Sequence, residues 1–331
     1  MFNILKEPLM MRRGGGGTGG GGTGGGGTTP SGGRTFSYLT APTSVTVNMN
    51  GSLTMANGAS VSTWYFTNGG GFNGDRTVPS PVIEANQGQT VRVTLNSMMP
   101  HSIHFHGLDV DQQNDGVPAT SFAVGGMGGA GSSYTYTFTA PHAGTYMYHC
   151  HVDTHQHFEM GMYGTVIIRP ADGSTNQVWA GGPTFDKEYV WHLMTFDTSW
   201  HSGMGGMGGT ILRRYSPNYF LINGRDGASV ITDSTTAITA GAGQRVLIRI
   251  NGTSYMPGRI RLGGLAFDVV ASDGRPLASP LRTTELQVNA GERYDIIVTM
   301  PSSGQNNATV DYRNIRNNAT LGTARTTVTV A

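Results

Sequence analysis

The stretch HCHVDTHQHFEMGM, residues 149–162, holds the single cysteine of the chain. Cys150 stands between His149 and His151, and His155, His157, Met160 and Met162 follow it. A thiolate, imidazoles and a thioether together, as two His, one Cys and a weak axial Met, make the ligand set of a blue copper centre. Upstream, HSIHFHG (residues 101–107) adds His101, His104 and His106, so that eight of the ten histidines fall between positions 101 and 157. That crowding around a sole cysteine reads as metal chemistry rather than packing. One cysteine also excludes an intrachain disulfide framework.

Side chains alternate faces along a β-strand. His149 and His151 therefore point to one side and Cys150 to the other, and His104 and His106 share a face that Phe105 does not. Two copper environments on opposite sides of a strand pair follow. Cys150 and His101 serve one, with His157 and Met162 supplied by the loop after the strand. His104, His106, His149 and His151 serve the other. The peptide path from Cys150 to its neighbouring histidines joins the two by covalent bonds, which suits electron transfer between them.

The flanking sequence reads as β. From Thr35 to Pro170 the segments SVTVNMNG, PVIEANQGQTVRVTLNS, SYTYTFTA, GTYMYHC and GTVIIRP alternate or run apolar between Gly, Pro and Asn breaks. This predicts a Greek-key sandwich over 35–170, then a short linker at 171–183. Over 184–331 the style repeats in DKEYVWHLMTF, NYFLING, RIRLGGLAFDVVASDG, TTELQVNAGERYDIIVTM and ATVDYR. QGQTVRVTLN near 90 and AGQRVLIRIN near 246 look like one strand in two copies. The expectation is an all-β chain of two sandwiches, the second holding only His192 and His201 and no Cys. A length of 331 residues agrees, being more than one core comfortably serves.

Residues 1–34 stand apart as a Gly-rich tail, with three G4 blocks separated by Thr18 and Thr23. They read as a flexible linker, with a role in assembly through close-packed polyglycine as the alternative. A net charge of +1 and a charged fraction of 12% give no basis for binding nucleic acid or an anionic membrane. No run approaches the ~20 apolar residues of a membrane helix, and MFNILKEPLMMRR lacks the apolar core of a signal peptide. A periplasmic or extracellular location is expected from the copper chemistry alone. Met127, Met204 and Met207 lie on glycine-rich loops, where thioethers suit Cu(I) and His201 could join them. The plainer reading of these is surface loop, and of His142 and His192, structure.

HFHGLDVDQQNDGVP, residues 104–118, resembles the first-domain HxHG…DGVP motif of laccases. HCHVDTHQHFEMGMYG resembles the HCHxxxHxxxxM motif of the multicopper oxidase family. NYFLINGR (218–225) and AGERYDIIV (290–298) resemble its second-domain segments, so the resemblance covers most of residues 40–300. It implies two cupredoxin-like Greek-key β-sandwich domains. It also implies a laccase-like enzyme that couples one-electron oxidation of a small reducing substrate at type 1 copper to the reduction of oxygen. His101, Cys150 and His157 would be the equatorial type 1 ligands and Met162 the axial one. His104 or His106 would bind type 2 or type 3 copper, and His149 and His151 type 3 copper. The usual family spacing would select His155 and Met160. The HFEMGMYG ending selects His157 and Met162, with a two-residue insertion after Cys150, and is preferred here; His155 and Met160 then lie at the copper rim. Asp115 matches an acidic residue that assists proton delivery, although a turn Asp before Gly116 accounts for it as well. Asp109 and Asp111 are weaker candidates, and Asp153 is a candidate for orienting a ligand.

Two departures stand out. The type 1 motif lies in the first domain, as in two-domain oxidases, which form trimers with a trinuclear cluster between domain one of one subunit and domain two of the next. Here the second domain offers no HxH pair. A homo-oligomer with an inter-subunit copper site is expected, completed by domain one of another copy, by a partner chain or by a lost third domain, unless the site holds fewer coppers. The alternatives are a non-catalytic blue-copper electron-transfer or extracellular assembly protein, and a nitrite-reductase-like type 1/type 2 enzyme. In the latter His106 and His149 stand at type 2 positions and His104 stands where that family has its catalytic Asp.

Overall fold

A computed structural model describes residues 38–68, 78–126, 131–201 and 214–331. The glycine-rich tail, Met127, Met204 and Met207 lie outside the described residues.

The first sandwich comprises β1 (Tyr38–Thr40), β2 (Thr43–Thr54), β3 (Ser60–Thr67), β4 (Val82–Asn86), β5 (Thr90–Asn96), β6 (His104–His106), β7 (Ser133–Thr139), β8 (Gly144–His149) and β9 (Tyr163–Arg169). A sheet ordered β3-β2-β5-β7 packs on one ordered β1-β4-β9-β8-β6. The second comprises β10 (Lys187–Phe196), β11 (Tyr219–Ile222), β12 (Ile238–Ala240), β13 (Arg245–Gly252), β14 (Gly258–Leu262), β15 (Phe267–Ser272), β16 (Arg275–Thr283), β17 (Glu285–Val288), β18 (Arg293–Thr299), β19 (Gln305–Arg313) and β20 (Thr320–Val330). Its sheets run β11-β10-β13-β18-β15-β16 and β12-β20-β19-β14-β17.

The two sandwiches are copies in topology. β2 pairs β5 in parallel and β5 pairs β7 antiparallel; β10, β13 and β18 repeat that pattern. The parallel pair β4/β9 followed by antiparallel β8 and β6 recurs as β12/β20, β19 and β14. QGQTVRVTLN and AGQRVLIRIN are thus the equivalent strands β5 and β13.

Each sandwich buries its own core. Val45, Phe66, Val93 and Tyr136 from one sheet meet Ile83, Phe105, Tyr148 and Val166 from the other. Ile248, Phe267 and Ile296 meet Ile260, Val310 and Val328 in the second sandwich. Each such side chain contributes about 1.5–3 kcal/mol by leaving water.

Every residue of β8 and β9 is buried, because both faces of these strands are covered. Tyr146, Tyr148, Val166 and Ile168 fill the first core. On the opposite face, Thr145, Thr165 and Arg169 meet the second sandwich. Thr145 donates to Asp295 at 2.5 Å and Thr165 Oγ1 lies 2.8 Å from His192 Nε2. Arg169 forks onto Glu188 at 2.7 Å, and Arg249 reaches the same carboxylate at 2.6 Å. This alternation decides where the histidines go: Phe105 and Cys150 belong to the first core, while His104, His106 and His149 face the seam.

Candidate metal centres

The first group is His101, Cys150 and His157, whose donor atoms all lie within 4.8 Å of one another. His101 precedes β6 and is pinned by paired backbone hydrogen bonds with Val124, at 2.9 and 2.7 Å. Cys150 follows β8 directly. His157 sits on a short helix, α1 (Thr154–Glu159), where the sequence suggested a loop. Cys150 Sγ is 3.5 Å from His101 Nδ1 and 3.2 Å from His157 Nδ1. A thiolate and an imidazole bound to one ion at ~2.3 and ~2.0 Å sit roughly 3.5 Å apart at tetrahedral angles, so the spacing fits a shared metal ion. Burial, helped by His157, lowers the His101 pKa to about 3; burial also lowers His157, to about 4. Both rings are therefore neutral ligands at pH 7. Burial pushes the Cys150 thiol up to about 12, so the pocket without a cation holds a neutral thiol, and binding of a metal displaces its proton.

Met162 is fully buried in the same core, and its carbonyl accepts the Cys150 N–H at 3.0 Å. Met160 is also buried there, where it ends α1 and accepts the Trp64 N–H at 2.8 Å. His155 takes no part in the group. Its Nδ1 pairs with Asp153 Oδ1 at 3.0 Å, and its ring faces Trp200 of the second sandwich. Asp153 thus orients His155, although its charge also acts to raise the pKa of His157.

The second group is His104, His106 and His149, again with donors within 4.8 Å. His151 joins it through its ring, 5.3 Å from His104 and 5.8 Å from His149 between centroids. Partners fix which nitrogen faces inward. His104 Nδ1 lies 2.8 Å from the Asp115 carbonyl and 3.1 Å from its carboxylate, so Nδ1 carries the proton and Nε2 the free lone pair. His149 Nδ1 donates to the Cys150 carbonyl at 2.9 Å, leaving Nε2 to meet His106 Nδ1 at 3.3 Å. Two imidazoles on one ion at ~2.0–2.1 Å stand roughly 3.3 Å apart at tetrahedral angles. Burial comes first in lowering all three pKa values, to about 3 for His149 and about 4 for His106.

Asp115 reaches His104 because the Asp115–Gly116 turn is pressed onto β6. A Cβ on Gly116 would stand 1.9 Å from the Ile103 carbonyl oxygen, at φ +72°. Asp109 instead pairs with Arg275 at 2.7 Å, and Asp111 caps the turn at 112–114. His192 is buried against Thr165 and Tyr163. His201 is turned inward, between the Ser62 carbonyl at 2.7 Å and Glu159 at 3.3 Å.

The sequence reading passed over what the second sandwich brings to the second group. A Cβ on Gly291 would stand 3.3 Å from His106 Cε1, and one on Gly107 would stand 2.1 Å from Arg293 Nη2. Arg293 is 3% exposed. AGERYDIIV carries both residues, but only the docking of β18 onto β8 reveals them.

Two cupredoxin-like sandwiches, with a His-Cys-His group at the end of one core and an imidazole cluster at the seam, define a copper protein. The comparisons name the family: two sequence profiles, each described as multicopper oxidase, match residues 55–173 and 192–330, and the chain belongs to the multicopper oxidase family. It is 28% identical over 298 residues to multicopper oxidase MmcO of Mycobacterium tuberculosis, covering 82% of this chain and 53% of that protein. It is 27% identical to a copper-containing nitrite reductase of Neisseria meningitidis, covering 76% of this chain and 60% of that protein. The chain thus spans between half and two thirds of these relatives' lengths. Among solved structures, the blue copper oxidase of Nitrosomonas europaea superposes with a TM-score of 0.69 at 25% identity, covering 89% of this chain and 86% of that one.

Proposed function

We propose that the chain is a laccase-like copper oxidase that couples one-electron oxidation of a small reducing substrate to the reduction of oxygen. His101, Cys150, His157 and Met162 would hold type 1 copper; His104, His106, His149 and His151 would hold the second centre. One observation carries this reading: the two ligand groups share a peptide bond, Cys150 belonging to one and His149 to the other. Bound copper would supply the one-electron redox chemistry. The chain supplies the rest. Burial keeps water from Cys150, the peptide bonds to His149 and His151 give the shortest route between the groups, and Asp115 holds the His104 Nδ1 proton. With a side chain 29% exposed, Asp115 can also exchange protons with solvent.

The reducing substrate has a place to sit. A groove of about 480 Å³ beside His101 is lined by Met49, Met98, Met99, Asn96 and Ser97. The Nε2 of His101 is buried with no hydrogen-bond partner among the described residues.

The reading extends to a homo-oligomer in a periplasmic or extracellular setting. His192 and His201 are committed to contacts inside the chain, so further ligands for the second centre would come from elsewhere, and another copy of the chain is the source this reading takes. Among the described residues no helix is long and apolar enough to cross a membrane.

The test is copper loading with and without Cys150. The wild type should bind more than one copper per chain and show the intense visible absorption of a Cys-ligated copper; Cys150→Ser should lose that band. A wild type that binds one copper and consumes no oxygen with a phenolic or cuprous donor is a carrier, and this reading fails. Consumption of nitrite in place of oxygen would move the chain to the nitrite-reductase reading.

A further inference from the structure

The two groups of ligands differ in charge. In the first, the Cys150 thiolate offsets part of the charge of a bound cation. In the second, the ligands are imidazoles, which bind a metal ion only in the neutral form, and the nearest carboxylate, Asp115, is spent on His104. At the edge of the second sandwich that faces this group, the structure places a cation. Arg293 lies beneath Gly107, in the turn that follows His106, and Gly291 lies against the His106 ring. Both glycines permit the approach, since a side chain at either would meet the guanidinium or the imidazole.

Arg293 is only partly compensated. It donates to the Gly291 carbonyl and pairs with Asp273 at 3.0 Å, but its Nε is buried with no partner among the described residues. The Asp273 side chain is 51% exposed while that of Arg293 is 4% exposed. Water screens the carboxylate more than the guanidinium, so the field on the dry side of the pair, toward His106, is positive. Arg275, a neighbour of the same sign, is paired with Asp109 at 2.7 Å. A divalent ion on neutral imidazoles beside a buried guanidinium is an excess of positive charge, and an anion entering with or after the metal relieves it.

We propose that Arg293 is a specificity-determining residue of the second centre, a fixed positive charge that selects a small anion (hydroxide, azide or an oxyanion) as the non-protein ligand there. This rests on the reading of the imidazole cluster as a copper site. Arg293 acts through the field at His106 and does not ligate.

The experiment is an equilibrium titration of the copper-loaded full chain with azide, followed by the absorption change of the second centre, after metal analysis. Arg293→Gln should weaken azide binding roughly tenfold, as expected for loss of one nearby unit charge at protein-like screening. Arg293→Lys should restore most of the affinity. Asp273→Asn should tighten binding: it keeps an acceptor for the Arg293 N–H, and Asn tolerates the left-handed backbone at that position, φ +50°. A purely structural role for Arg293 would weaken binding in both Arg293→Gln and Asp273→Asn. All three variants should keep the visible band of the first centre. Unchanged azide affinity in Arg293→Gln overturns the proposal; should that variant fail to fold, unchanged or weaker affinity in Asp273→Asn does so. A wild type that binds no second copper overturns the underlying reading too, and the metal analysis reveals this before any azide is added.

Discussion

His104 and His149 present Nε2 to the seam for one reason: a backbone oxygen, from Asp115 or from Cys150, occupies each Nδ1. For His149 the partner is its own neighbour's carbonyl, which no side-chain substitution removes. For His104 part of the hold is the Asp115 carboxylate. Asp115→Ala should therefore lower copper affinity at the second centre about 10–100-fold, the usual cost of losing a partner behind a ligand, and leave the visible band intact. Asp115→Asn, which keeps an acceptor oxygen, should fall between. Competition with a graded chelator, read by metal analysis, checks both; equal losses in the two centres would count against the assignment. At the first centre, His157→Ala should abolish the visible band and His155→Ala should preserve it, because of these two only His157 has its Nδ1 against Cys150. The spacing of HCHVDTHQHFEMGM permitted either histidine. What separates them is α1, which turns His157 toward the core and His155 toward Asp153 and Trp200, and a six-residue helix is too short to leave a periodic signal.

Among the elements, β6 and β8 position both centres, and their alternation was legible because period two survives in short strands. The turn after β6 was legible only as a turn. Its tightness is a tertiary fact, in that Gly116 has the Ile103 carbonyl where a Cβ would stand. Gly88 supplies the contrast, with a similar φ of +80° but nothing within 4 Å of a Cβ. Gly88→Ala should cost only the strain of the left-handed backbone, about 1–2 kcal/mol. Gly116→Ala adds a clash with main chain and should cost about 3 kcal/mol or more. It should also loosen second-centre copper by moving Asp115 off His104. Urea unfolding of the two variants side by side measures the difference, and equal costs would show that the turn can shift without harm.

At the scale of the whole molecule, the duplication was readable because β5 and β13 kept a common sequence, and the β class because Thr, Val and Tyr alternate between glycine-rich turns. The seam was not readable. GTVIIRP looks like a strand buried on both faces, but nothing in it names Glu188, 19 residues on, as the partner of Arg169, or Arg249 as the second guanidinium on that carboxylate. These three groups form the buried ionic link that sets one sandwich on the other. Burial alone would raise the Glu188 pKa; Arg169 and Arg249 override it and hold the carboxyl well below the usual range. Glu188→Gln should destabilise the protein by about 3–5 kcal/mol near pH 7, the cost of removing the carboxylate that two buried guanidinium groups share and leaving Arg169 with Glu84 alone and Arg249 with Asp295 at 3.5 Å. Glu84→Gln, which weakens the two partly exposed hydrogen bonds from Arg169 Nε and Nη2, should cost less. The pH dependence follows from the sign of the shift. A carboxyl whose folded pKa is depressed stabilises the protein fully above its unfolded pKa of ~4.3, and loses that contribution as pH falls below it toward the folded value. The gap in unfolding free energy between wild type and Glu188→Gln should therefore be constant from pH 7 to about pH 5 and narrow below about pH 4.3. Glu159 is buried with its pKa raised and favours the folded state as pH falls, but it lies outside the link, is present in both proteins, and cancels in the difference. Urea titrations across that pH range measure the gap directly. A gap that stays constant down to pH 3 would mean that the Glu188 carboxylate contributes no linkage of its own, and that the sandwiches are held by the apolar seam of Val82, Ile167 and Val190.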